Sequence, residues 1–313
     1  MALIGHAEAE TAFLDAWRAG RLHHAWLLAG PQGMGKAAFA ARAARFLVTH
    51  GPAGGGDAPS LDDPGDTAAD RLVAAGNHPE ILLLTRQPKE KGKELARNIT
   101  IDQVRGMIRR LHLSLSLGHW RVIIIDAIDD LETDAANALL KTLEEPPAQT
   151  LFLLVSHSPG RLLPTIRSRC RILRFQPVER DVMTTWLHEM RPVTGMAELR
   201  ATAAASGGVP GKALALIDSD VAAMEKKLRA IAASGDPDNR LREALAREVG
   251  GTSNRAKLEL VIDIVPGLLA DLARERPVAG LAPVLAQWDR IQRTVQGAIR
   301  GSYDGAMVGF EIG

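Results

Sequence analysis

The chain has a single cysteine, Cys170, so no disulfide closes within it and no zinc site built on cysteines is available. Aromatic residues make up only 4%, too few for a base-stacking platform. Neither sign of charge is in excess: 38 basic residues against 37 acidic ones leave a formal net charge of +1. Nothing global therefore demands a nucleic acid or a membrane surface as partner. No apolar run approaches the length of a membrane span, and no apolar leader segment follows the first Met. These absences predict a soluble cytoplasmic protein. Apolar material is ample: 46% of 313 residues, enough to give two or three domains their cores.

One stretch organises the rest, Gly30-Pro31-Gln32-Gly33-Met34-Gly35-Lys36-Ala37. It lies between an apolar run, 25–29, and a helical segment, 38–48, and so reads as strand, glycine-rich turn, helix. It matches the phosphate-cradling loop G-x-x-x-x-G-K-[ST] at every fixed position but the last. Glycines let backbone N–H groups close around a phosphate, and the helix N-terminus adds positive potential. Lys36 would reach the outer phosphates. Ala37 stands where a hydroxyl should hold Mg²⁺, and a methyl group cannot coordinate a metal.

Before the loop, Ala9, Phe13, Ala16 and Trp17 make one apolar helix face, and His23-His24 reads as a polar strand entrance. Residues 51–66, rich in Gly, Pro and Asp with almost nothing to bury, read as a poorly ordered loop. Residues 81–84 read as a strand buried on both faces of a parallel sheet. Arg86, Lys89, Lys91, Lys93 and Arg97 read as a solvated basic loop, with a nucleic-acid contact as the alternative. Thr100 and Gln103 form a capping box before the face Val104, Met107, Ile108, Leu111. Further strands are expected over 122–125, 151–155 and 172–175, with a helix over 134–144 that Pro146-Pro147 stops.

Apolar strands alternating with helices imply an α/β domain, a parallel sheet with helices on both faces, over 1–176. After Pro177 the strand signal disappears. A small helical domain is expected over 177–220 and a larger all-α domain over 221–313. In the latter Val284, Trp288, Ile291 and Val295 line one helix face, and the tail from Val308 reads as weakly structured.

Two oxygen-bearing groups of a hydrolytic site are missing. Asp126, after the buried strand 122–125, is placed to hold Mg²⁺ through water, but the adjoining carboxylate that activates water is replaced by Ala127. Asp129 and Asp130 do not fit that role. A third constellation is Arg161, Arg167, Arg169, Arg171 and Arg174, either a basic sheet edge or the source of an arginine that reaches a neighbouring subunit's nucleotide.

Trp120 to Asp126, Asn137 to Pro146 and Leu163 to Cys170, taken together, resemble the clamp-loader branch of AAA+ proteins in the bacterial DNA polymerase III system. The triplet Ser168-Arg169-Cys170 matches the hallmark of that branch and contains its arginine finger. His23-His24-Ala25 and Asn77-His78-Pro79-Glu80 support the likeness. It is dense over 20–175 and architectural beyond, where the resemblance implies a helical lid and a C-terminal collar for oligomerisation. It implies other clamp-loader subunits as partners, both the gamma/tau ATPase type and delta, with the sliding clamp and primer-template DNA in the assembled complex. Lys212 occupies the place of the lid arginine, and Ser156-His157-Ser158 the place of a sensor for the outer phosphate. No zinc is implied, because the loop 51–66 replaces the cysteine module of other members.

Two functional readings follow. In the first, the chain hydrolyses little or no ATP and presents Arg169 to an adjacent ATPase subunit. ATP or ADP at Gly30, Gly33, Gly35, Lys36, Ala37, Asp126 and Lys212 is then weak or vestigial, with Mg²⁺ only if nucleotide binds. In the second, the chain is an active AAA+ ATPase, either a motor or a hydrolysing loader subunit. Sequence-specific DNA binding is disfavoured by the balanced charge and the lack of a helix-turn-helix signature.

Overall fold

The computed structural model describes residues 4–51, 60–62, 67–88, 95–117, 119–217, 221–234 and 236–250, single positions between 258 and 293, and 305–312. Most of the loop 51–66, the lysines 89, 91 and 93, and Val284 and Val295 lie outside the described residues. The chain divides into two compact units, Met1–Gln176 and Pro177–Gly313.

In the first unit the order is α1 (Ala7–Arg18), β1 (Ala25–Ala29), α2 (Lys36–His50), α3 (Thr67–Ala74), β2 (Ile81–Thr85), α4 (Ile101–Leu111), β3 (Arg121–Asp126), α5 (Thr133–Glu144), β4 (Thr150–Ser156), α6 (Pro164–Arg167) and β5 (Arg171–Arg174). All strand pairs are parallel, and the sheet runs β2-β3-β4-β1-β5. The three interior strands, β3, β4 and β1, are apolar on both faces because helices cover both. One face packs Leu27, Ile123, Ile125, Phe152 and Leu154 against Val104, Met107, Leu139 and Leu143 of α4 and α5. The other gathers five of the scarce aromatics: Phe13 lies 5.3 Å from Trp26 and 6.0 Å from Phe39, and Trp17 4.8 Å from Phe46. The capping box of Thr100 and Gln103 is formed as the sequence implies.

Two expectations for this unit need correction. Strand β2 is not buried on both faces: Leu83 is 60% exposed, because the strand order puts β2 at the sheet edge. The described piece of the loop 51–66 is not bare of anchors. Leu61 is fully buried with its N–H on Glu10 Oε1 at 2.8 Å, and Arg42 grips Asp62 with both Nε and Nη2.

The second unit is helical among its described residues: α7 (Arg180–Met190), α8 (Met196–Ala205), α9 (Pro210–Ile217), α10 (Val221–Ser234), α11 (Arg240–Val249) and α12 (Gly305–Ile312). One apolar cluster draws Ala205 and Leu216 together with Met224, Leu228, Leu245 and Val308, so it crosses the expected 220/221 boundary. The tail is not weakly structured. Val308 and Ile312, four residues apart, are buried on one face of α12. Gly309 lets that helix approach closely, since a Cβ there would lie 2.4 Å from Val249 Cγ2.

Candidate functional site

The order β3-β4-β1 brings three strand ends together: Asp126 closing β3, Ser156 closing β4, and Gly30 leaving β1 with its N–H on the Ser156 carbonyl at 3.3 Å. Ligands of open parallel sheets bind at this carboxyl edge. Gly33 and Gly35, at φ 83° and 82°, take the left-handed turns that start α2. Gly30 is needed for a different reason: a Cβ there would sit 2.4 Å from the Phe175 carbonyl.

Lys36 does not point out of the loop. It is 2% exposed, and its Nζ donates to the Gly30 carbonyl at 2.6 Å and the Pro31 carbonyl at 2.5 Å. Burial lowers its pKa to about 8, against the opposing pull of the nearby Asp129 and Asp126 carboxylates. His6 closes the loop from the other side, with Nε2 and the Met34 carbonyl 2.7 Å apart and its ring 4.6 Å from Phe175. The histidine thus fixes the loop residue two before Lys36.

Ala37 is exposed at the second position of α2, and Ala127 is buried directly after Asp126. Asp129 does other work. Its carboxylate accepts from Ser156 Oγ at 3.0 Å and from the N–H groups of His157 and Ser158 at 2.6 and 3.2 Å. It therefore orders the turn after β4. Asp130 pairs with Arg86 at 3.1 Å, which ties down one end of the basic segment. Within 156–158 the Ser156 hydroxyl is committed to Asp129. The His157 imidazole has its pKa lowered by burial and then by the Lys36 charge, against the opposing pull of Asp129, Asp126 and Asp130.

On the arginine edge, Arg171 lies over the Trp26 ring at 4.7 Å, Arg167 Nη1 reaches the Pro159 carbonyl at 3.4 Å, and Arg161 and Arg174 are exposed. Arg169 ends the turn after α6. Its Nη1 donates to the Thr165 carbonyl at 2.7 Å and its Nη2 pairs with Glu144. Ser168 Oγ donates to the same Thr165 carbonyl at 3.1 Å, and Cys170 Sγ meets the Ile166 carbonyl at 3.1 Å. Burial pushes the Cys170 thiol up to about 12, so its part in the triplet is packing.

The first unit thus gathers Gly30, Gly33, Gly35, Lys36, Ala37 and Asp126, while Lys212 belongs to α9 of the second. Sequence reasoning passed over His6, which carries no local signal, and the partnership of Glu80 with Arg121. Glu80 is 1% exposed; its Oε2 accepts from Arg121 Nε at 2.7 Å and its Oε1 from the Ser116 N–H at 2.7 Å. Both residues sit inside the motif stretches Asn77 to Glu80 and Trp120-Arg121. Their spacing in sequence gave no pairing signal. Among the described residues no group of three or more His, Cys, Asp or Glu is placed to hold a metal.

Residues 5–179 match the family described as DNA polymerase III, delta subunit. The DNA polymerase III subunit delta' of Pseudomonas aeruginosa is 38% identical over 188 residues, which is 60% of this chain and 53% of the relative. That of Escherichia coli is 38% identical over 206 residues, 66% of this chain and 58% of the relative. The chain thus spans little more than half the length of these relatives. Among solved structures, a gamma subunit-related protein of DNA polymerase III from Thermotoga maritima aligns over 96% of each chain at 15% identity and a TM-score of 0.45. With the match covering the whole sheet, the loop and the arginine triplet, the chain belongs to the DNA polymerase III delta subunit family.

Proposed function

We propose that the chain acts as a delta-prime-type subunit of a cytoplasmic clamp loader in DNA replication, with little or no ATP hydrolysis of its own. On this reading it assembles with gamma/tau-type ATPase subunits and delta, residues 177–220 acting as a lid and 221–313 as a collar. The sliding clamp and primer-template DNA are met in the assembled complex. The observation that carries the proposal is Lys36, bonded to two carbonyls of its own loop where an active site would aim it at phosphate. Ala37 and Ala127 support it, because neither a metal-holding hydroxyl nor a water-activating carboxylate is available. As the loop stands, Lys36 Nζ is taken by two carbonyls, and Ala37 offers no hydroxyl for Mg²⁺. Any residual ATP or ADP binding requires Lys36 to leave both carbonyls.

The contribution to catalysis then passes to Arg169, whose always-charged planar fork stabilises charge on the phosphoryl group of a neighbour's ATP. Fingers acting from a second subunit accelerate transfer by roughly 10³–10⁵-fold. In a reconstituted loader, Arg169→Ala is expected to abolish most DNA-stimulated ATP turnover and clamp loading; unchanged turnover rules the finger role out. The second reading, a hydrolysing AAA+ ATPase, is favoured by the two carboxylates, Asp126 and Asp129, that act on Lys36. Turnover by the isolated chain that Lys36→Ala removes would decide for it.

A further inference from the structure

We infer that Glu144 is a positioning residue for Arg169: in the free subunit its carboxylate holds the guanidinium, and Arg169 exchanges it for the phosphate of a neighbour. The inference rests on the finger role proposed above. Glu144 is the last residue of α5, and Pro146-Pro147 follow. That helix end is firmly placed. The Glu145 N–H donates to the Lys141 carbonyl at 3.1 Å, and His24 Nε2 and the Leu143 carbonyl are 2.9 Å apart. His24 stands at the entrance of β1, an interior strand, so the end of α5 is tied to the sheet. From there Glu144 Oε1 accepts from Arg169 Nη2, while Nη1 donates to the Thr165 carbonyl of α6. The guanidinium is held between the ends of two helices.

A guanidinium fork fits carboxylate and phosphate by the same planar geometry, so the two compete for the same N–H groups. The Arg169 and Glu144 side chains are 31% and 48% exposed, so water screens the pair and it opens readily. At a closed, water-poor subunit interface the more highly charged phosphate wins, and a carboxylate left beside it would repel it. Glu144 therefore keeps Arg169 extended and occupied until a nucleotide is presented.

Glu144→Gln keeps the shape and removes the charge. In the reconstituted loader the exchange predicts a KM for ATP about two- to five-fold lower with kcat unchanged, the size expected for losing an exposed competing pair. Glu144→Ala should move KM the same way, and Glu144→Asp should stay near the parent. The effect must vanish when Arg169→Ala is also present. An unchanged KM, a lowered kcat, or a KM effect that persists with Arg169→Ala overturns the exchange. Failure of the finger reading shows separately, as unchanged turnover in Arg169→Ala alone. Thermal unfolding of each isolated variant confirms that it folds.

Discussion

Single residues at both ends of the sheet, Cys170 before β5 and Gly30 after β1, are fixed by contacts that their neighbours in sequence do not supply. Cys170 sits beside the proposed finger, yet burial takes its thiol from the usual 9.0 to about 12. That is roughly 10³-fold less thiolate at a given pH. Alkylation of the folded chain at pH about 8 should therefore be slower than that of the chain in denaturant by orders of magnitude, measured as labelling half-times. Gly30 is held to glycine by the Phe175 carbonyl, 2.4 Å from where a Cβ would lie. The carbonyl is backbone and the position of a Cβ is fixed by its own backbone, so neither can swing away. Gly30→Ala should destabilise the chain by about 1–3 kcal/mol in denaturant unfolding, as other overpacked sites do. The loop motif alone would assign Gly30 to phosphate binding, and such a loss in ligand-free protein would show that it serves the fold as well.

Among elements, α4 shows how motif residues far from the chemistry are used. A helix end leaves its last carbonyls without partners. Arg121, the first residue of β3, donates Nη1 to the carbonyls of Arg110, Leu111 and Leu113 at 2.9, 3.1 and 2.9 Å. Glu80 neutralises it from the turn before β2. Burial alone would raise the Glu80 pKa, but the Ser116 N–H, the Arg121 guanidinium and the Ser116 hydroxyl together hold it below the usual 4.5. A depressed carboxyl adds stability that is complete above its unfolded-state pKa and is lost as pH falls through the folded-state value. Glu80→Gln should cost about 3–5 kcal/mol at neutral pH, because it leaves Arg121 buried and uncompensated. The gap between parent and variant should shrink as pH is lowered from about 6 to about 3, read from urea unfolding at each pH. The carboxylate of Asp129 plays a comparable part at the turn after β4. Asp129→Ala would leave three donors unmatched at a cost of about 1–3 kcal/mol for each that stays buried.

At the scale of the whole molecule the chain breaks between β5 and α7. The Phe175 N–H closes on the Ala29 carbonyl of β1, within the first unit. The Val178 N–H closes on the Gly208 carbonyl, within the second. Only Gln176 and Pro177 intervene. Residues 1–176 carry both faces of the sheet, and their apolar cores do not need the helical unit. A fragment of residues 1–176 should therefore fold alone, giving a single cooperative thermal transition and native-like circular dichroism. A fragment that ends before β5 should not, since Phe175 is buried and packs on Phe39 at 5.3 Å.

The sequence by itself determined whatever depends on short-range spacing. The alternation of apolar strands with helices specified a parallel sheet, the glycine spacing specified the turn into α2, and Thr100 with Gln103 specified the start of α4. The replacements at Ala37 and Ala127 were equally legible, because each is one residue at a fixed offset. Only the tertiary structure decided what depends on which strands are neighbours. Strand order exposes Leu83 although its sequence reads as fully buried, and packing against α11 turns the tail into a helix. The folding of Lys36 onto its own loop, the closure of that loop by His6, and the meeting of Glu144 with Arg169 across 25 residues of chain depend on it too. Hydrogen bonds and ion pairs between distant segments leave no periodicity in the sequence, so the chemistry of this site became readable only once the sheet had brought those segments together.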